Sequence, residues 1–90
     1  MRGLLGRAEL PADEGILLRP AGSVHTFFMR FPIDVVFLDR DLTVVGVEPE
    51  LAPWRAAGRR GAKAVLELAA GEAARRGIGP GDRLSLAPAS

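Results

Sequence analysis

The 90-residue sequence contains no cysteine and a single histidine, His25. Without thiols the chain cannot form disulfides, use a thiolate nucleophile or bind zinc through cysteine. One histidine excludes a site that draws several histidine ligands from one chain. We therefore expect no metal site and no cofactor.

Long apolar runs are also missing. No segment approaches the ~18 to 20 apolar residues that a membrane-spanning helix needs. The first ten residues, "MRGLLGRAEL", lack the apolar core of about 7 to 15 residues found in a signal peptide. We expect a soluble protein of the cytoplasm that does not bind membranes.

An excess of one charge is absent as well, because 12 basic and 11 acidic residues leave a net charge of +1. Such a balance gives no strong overall field to attract nucleic acid, so a nucleic-acid partner is not the expected one. Lys63 is the sole lysine, and the remaining basic residues are arginines. Together with the abundant alanine and glycine, this composition is typical of a GC-rich genome.

The length fits one domain, residues 1–90, which can bury roughly 60 to 65% of the surface of the unfolded chain. Short apolar runs bounded by turn residues predict strands within 15–20, 25–31, 33–39, 42–49, 63–69 and 77–87. Residues 50–62 are expected to form the longest loop. The polar "DRD" connection at 39–41 predicts a hairpin.

One short helix is predicted near residues 71–76, with Gly77 as its C-terminal cap. The sequence thus indicates a mainly β protein, borderline α+β. The expected architecture is a small antiparallel barrel or sandwich of about five to seven strands, in which a barrel would remove exposed sheet edges.

Three segments, "RGLLGR...L...EGILL", "HTFFMRFPIDVVFLD" and "VLEL.AG...R.GI.PGD.L", follow one another in this order. Together they resemble an uncharacterised prokaryotic family, domain of unknown function 192, from about Arg2 to Leu86. The resemblance implies a small barrel-like β domain without an established activity. It also implies that the family's usual first strand is missing here, since the chain starts on the "RGL" segment.

Polar residues interrupt the apolar strands near the loop that holds the one tryptophan. The candidate ligand-binding residues are His25, Met29, Arg30, Asp34, Trp54 and Glu67. A charged side chain in an apolar strand is costly unless it is paired. The charged candidates are therefore expected either to pair with other groups of the fold or to bind a ligand. No residue is assigned a catalytic role, and we expect a non-catalytic module that binds a small ligand or a protein partner.

Two alternatives stay open. A small hydrolase or metal-assisted enzyme would use His25 as a base, with Asp34 or Glu67 as orienting group or ligand, and would need all three to converge. A single-stranded nucleic-acid binder would use the aromatic and basic 54–63 loop. In that loop Trp54 is expected to fold back as a lid over one end of the barrel.

Overall fold

The computed structural model describes residues 15–26 and 30–85. It contains six strands and one short helix in these ranges. They are β1 Gly15–Leu18, β2 Ser23–His25, β3 Ile33–Leu38, β4 Val44–Leu51, β5 Ala56–Gly58, β6 Ala64–Ala69 and α1 Glu72–Arg75.

The strands form two antiparallel sheets. One has four strands in the order β1-β6-β3-β4, and the other consists of β2 and β5. The central strands β3 and β6 pair over their whole lengths, from Ile33 opposite Ala69 to Leu38 opposite Ala64. The expected mainly β, antiparallel fold with one short helix is confirmed.

The core lies on both faces of the four-stranded sheet. Because side chains alternate along a strand, Ile33, Val35 and Phe37 of β3 face one cluster while Val36 and Leu38 face the other. The first cluster is closed by Val24 and Ala57 of the two-stranded sheet. The second packs beneath α1 through Ala73. Side chains on the two faces of β3 therefore have different surroundings.

The hairpin between β3 and β4 is confirmed, and Asp39 organises it. Its Oδ1 accepts hydrogen bonds from the backbone N–H groups of Asp41 at 2.8 Å and Thr43 at 3.0 Å. The backbone closes the turn, since Leu42 N–H donates to the carbonyl oxygen of Asp39. An aspartate that bonds to backbone groups a few residues ahead is a common way to fix a turn.

Helix α1 ends as the sequence predicts. Gly77 adopts the left-handed backbone conformation with φ of 68°. Its N–H donates to the carbonyl of Ala74, and the N–H of Ile78 donates to the carbonyl of Ala73. These two bonds form a Schellman motif, and Ile78 then packs against the same apolar cluster as Ala73.

The structure differs from expectation in the loop and in two strands. The 50–62 segment contains the end of β4 and the short strand β5, so it is not one long loop. The sequence predicted a strand at 25–31. The structure instead has β2, which ends at His25, and residues 27–29 lie outside the described residues. Of the strand expected at 77–87, the described part contributes one bridge, between Thr43 and Arg83.

Gly77 and Gly79 offer a matched pair for testing the helix cap. A Cβ at either position meets no heavy atom within 4 Å, but only Gly77 has a positive φ. We expect Gly77→Ala to lower the free energy of unfolding by about 1 kcal/mol, because L-residues are strained in this conformation. Gly79→Ala should leave stability unchanged or slightly higher. Urea denaturation of both variants measures the difference, and equal effects would contradict the cap assignment.

Candidate functional site

Asp34 lies in the middle of the fold with no exposed surface. Its Oδ1 accepts hydrogen bonds from the backbone N–H groups of Glu50 at 2.8 Å and Gly71 at 3.1 Å. Its Oδ2 accepts from the N–H of Ala73 at 2.8 Å, in the first turn of α1. Gly71, the N-cap residue, has no side chain to cap the helix, so Asp34 does this from the neighbouring strand.

A bulge in β4 explains why one of these N–H groups points at Asp34. Ile33 pairs with Leu51 and Val35 with Glu48, so Asp34 faces two residues of β4. Of these two, Pro49 has no N–H to donate, and Glu50 has a positive φ of 49°. The N–H of Glu50 is thereby turned toward the carboxylate. All the hydrogen bonds that Asp34 accepts from the described residues come from backbone N–H groups.

Glu67, in β6, is equally buried but forms no such bonds with the described residues. It has no exposed surface, and neither carboxyl oxygen has a hydrogen-bond partner among residues 15–26 and 30–85. Its cross-strand neighbours are Ile16 and Val35, and Glu48 follows Val35 on the next strand of the same face. Burial among apolar groups disfavours the charged form and raises the pKa of Glu67 from 4.5 to about 7.

The carboxyl groups of Asp34 and Glu67 lie on opposite faces of the four-stranded sheet. Asp34 pairs with Leu68 and faces α1, whereas Glu67 pairs with Val35 and faces the two-stranded sheet. A hydrolase site would need Asp34, Glu67 and His25 to lie together. The placement of Asp34 and Glu67 on opposite faces does not bring the three side chains together. In the described part of the chain, no three His, Asp or Glu side chains are grouped to hold a metal ion.

His25 is exposed at the end of β2, opposite Ala56 of β5. It borders an open groove of about 700 Å³ whose described wall runs from the end of β1 to β2. Val24, the residue before it, is buried and faces the core, so His25 points away from the core.

Thr26 holds the loop that carries Trp54, and the sequence alone does not indicate this role. Its hydroxyl is fully buried, donates to the carbonyl of Ala52 at 2.7 Å and accepts from the N–H of Arg55 at 2.8 Å. Its backbone N–H donates to the carbonyl of Arg55, and its carbonyl accepts from the N–H of Trp54. Four bonds thus fix residues 52–55 against the end of β2.

Trp54 is 57% exposed and is the large hydrophobic side chain that the described residues leave on the surface. It does not form the expected lid. Its backbone has a φ of 64°, a conformation that is uncommon for a bulky residue. Arg55 folds back beside it, with Nη1 3.4 Å from the carbonyl oxygen of Trp54.

Of the other candidates, Arg30 is exposed just before Phe31, and Met29 lies outside the described residues. The 54–63 loop also contains an unexpected contact. The guanidinium carbon of Arg59 lies 5.6 Å from the ring centre of Phe37, over the site of Gly46. A Cβ at Gly46 would overlap the Arg59 side chain, so this glycine leaves room for the arginine to cover the ring.

The family model of domain of unknown function 192, described as "Uncharacterized ACR", matches residues 1–86. The chain belongs to the DUF192 family. Among curated proteins there is no match. The family is uncharacterised, so membership supports the fold and indicates no catalytic function.

Two solved bacterial structures share the fold. A protein of unknown function from Novosphingobium aromaticivorans is 31% identical with a TM-score of 0.83, and the alignment covers 93% of this chain and 65% of that one. A putative transcription regulator from Sinorhizobium meliloti is 29% identical with a TM-score of 0.83, covering 92% of this chain and 70% of the other. This DUF192 chain thus spans slightly less than two thirds of the first relative.

Helices that could cross a membrane are absent from the described ranges. Within 15–26 and 30–85, the DUF192 chain has no helix that is both long enough and apolar enough to span a bilayer.

The raised pKa of Glu67 predicts an unusual pH dependence of stability. Between the unfolded value of 4.5 and the folded value of about 7, the folded protein holds a proton that the unfolded chain has released. The contribution of Glu67 to the free energy of unfolding is therefore complete below pH 4.5, and it falls by roughly 3 kcal/mol as the pH rises from 4.5 through 7.

Glu67→Gln should remove this decrease, because glutamine has the same shape and no charge at any pH. Asp41→Asn, in the exposed hairpin turn, is the control and should keep it. Urea unfolding at pH 4.5, 6 and 8 measures the slope. A wild-type protein whose stability does not fall over this range, or a Glu67→Gln variant that keeps the decrease, would show that Glu67 is not buried as described.

Proposed function

We propose that this DUF192 protein is a non-catalytic binding module whose contact surface is centred on Trp54. The observation that carries the proposal is a large aromatic side chain, 57% exposed, on a backbone held in a left-handed conformation. Exposed aromatic groups that are fixed in place are typical anchors of binding surfaces, since little side-chain freedom is lost on binding.

The strain at Trp54 supports this proposal. A non-glycine residue in the left-handed region costs of order 1 kcal/mol, and such residues persist only where surrounding contacts hold them. Here the buried hydroxyl and backbone of Thr26 supply those contacts. Folding thus maintains an unfavourable backbone for a side chain that contributes little to the core, which favours a role outside stability.

The neighbours of Trp54 indicate what the ligand would carry. Arg55 is exposed next to it, and His25 lies opposite Ala56, the following residue. An apolar or aromatic group would stack on the indole, while a carboxylate beside it would pair with the guanidinium. The partner we propose is a small aromatic acid, or a protein segment that presents the same two groups.

Of the sequence candidates, His25 and Trp54 belong to this surface. Asp34 supports it from inside, because the bulge that it stabilises precedes the loop. A role in binding for Met29, Arg30 and Glu67 stays a prediction. Cytoplasmic location likewise stays a prediction.

Single-stranded nucleic acid is a second candidate. The 54–63 segment exposes Arg55, Arg59, Arg60 and Lys63, and it contains no acidic residue. The similarity to the Sinorhizobium meliloti protein, a putative transcription regulator, is consistent with this candidate. Against it, Arg59 is engaged with Phe37 and donates to the carbonyl of Val47 at 3.3 Å.

Because Trp54 is the one tryptophan of the chain, its fluorescence reports on this surface directly. We expect benzoate or phenylacetate to change the emission in a saturable way and to shift the backbone amide signals of residues 54–56. Trp54→Ala should abolish these amide shifts, and Arg55→Gln should weaken binding about tenfold, because it removes a charged hydrogen-bond donor.

Trp54→Gly serves as the folding control, since glycine accepts the left-handed conformation without strain. It should stay folded, with stability within about 1 kcal/mol of wild type, and yet fail to bind. A flat titration of wild type with both acids, or binding that survives in Trp54→Ala, would contradict the proposal. Shifts across 54–63 with an oligonucleotide alone would favour the nucleic-acid candidate instead.

A further inference from the structure

A cleft of about 250 Å³ lies at the opposite end of the four-stranded sheet from Trp54. Its lining residues are Arg19, Pro20, Asp39, Arg40, Lys63 and Ala64. These residues follow β1 and β3 and precede or begin β6, whereas Trp54 follows the end of β4 that pairs with Ile33, at the start of β3. Trp54 itself thus lies apart from this cleft, although Arg19 and Pro20 also line the groove that His25 borders.

Three cationic side chains from distant parts of the sequence meet in this cleft. Arg19, Arg40 and Lys63 are all exposed, and none of them is ion-paired with a carboxylate of the described residues. Like charges that share a concave surface repel one another. An anion that reached all three groups would relieve this repulsion.

Among the described residues, Asp39 supplies the one carboxylate that lines the cleft, and it does not offset these charges fully. Its Oδ1 already accepts hydrogen bonds from the N–H groups of Asp41 and Thr43. Its negative charge balances at most one of the three cations, so the described lining keeps a net positive charge.

Backbone hydrogen bonds hold the three sides of the cleft together. The N–H of Lys63 donates to the carbonyl of Leu38 at 2.7 Å, which joins the start of β6 to the end of β3. The carbonyl of Lys63 accepts from the N–H of Ala21 at 2.9 Å, which joins it to the segment after β1. The positions of the three cations are thus set by the fold rather than by a flexible loop.

We propose that this cleft binds a small multivalent oxyanion, a phosphate or diphosphate group, through Arg19, Arg40 and Lys63. Guanidinium groups match the geometry of phosphate oxygens with two parallel hydrogen bonds, and lysine adds a compact charge. The volume is below the ~300 to 1,000 Å³ of sites for drug-sized ligands, so it suits the anionic group and not a large organic body. This site is independent of the function proposed for Trp54.

Inorganic pyrophosphate is the probe, titrated into the full chain at low ionic strength and followed by backbone amide NMR. We expect saturable shifts clustered at 18–22, 39–41 and 63–64. Arg19→Gln, Arg40→Gln and Lys63→Gln should each weaken binding about tenfold. Asp39→Asn keeps an oxygen acceptor for the turn while removing the negative charge, so it should tighten binding several-fold.

Arg76→Gln, in the turn after α1, is the matched control because it changes the net charge by the same amount. It should leave pyrophosphate affinity within about twofold of wild type. Sodium chloride at equal ionic strength should not reproduce the shifts. The proposal is overturned if the shifts do not saturate, if chloride reproduces them, or if Arg76→Gln weakens binding as much as the three cleft variants.

Discussion

The carboxylate of Asp34 is the constraint on which the rest of this fold depends. It accepts three backbone N–H groups that the chain places 16, 37 and 39 residues away. The bond from Ala73 is buried, so without Asp34 this N–H would be left without a partner, at a cost of about 1 to 3 kcal/mol. One side chain therefore fixes the bulge of β4 and the start of α1 relative to the central strand.

The residues that hold the Trp54 segment in place are different from the residues that would contact a ligand. Asp34 and Thr26 are both fully buried, and both bind backbone groups of the segment that precedes or carries Trp54. The exposed aromatic group is thus supported by residues that no ligand can reach. Glu67 differs from both, because its carboxyl group is buried without a hydrogen bond to any described residue, and this burial raises its pKa to about 7.

Sequence patterns predicted the strands whose side chains alternate clearly. β3, β4 and β6 are rich in valine, isoleucine and leucine, and Gly77 after two arginines marked the end of α1. The strand β5 was missed because its sequence, "AAG", has no apolar pattern and because, among the described strands, it pairs only with the short β2. Its place in a sheet is decided by the bonds of Thr26 and the packing of Ala57, which sequence spacing does not reveal.

The sequence predicted which residues of the candidate site are unusual, but it did not predict what each residue does. A carboxylate in an apolar strand signals that something must satisfy it, and the sequence cannot show whether that partner is a ligand or a distant backbone N–H. Asp34 and Glu67 look alike in sequence yet lie on opposite faces of the sheet, since they occupy different registers of paired strands. The exposure of Trp54 depends on a left-handed backbone that no local pattern indicates.

Native-state hydrogen exchange of Glu50, Gly71 and Ala73 in wild type and Asp34→Asn tests the central claim most directly. If Asp34 holds these segments together, the three amides are protected in wild type and lose protection together in the variant, while amides in the middle of β6 change less. Protection of all three that survives the substitution, or loss at Ala73 alone, would contradict the claim that one carboxylate joins the bulge to the helix.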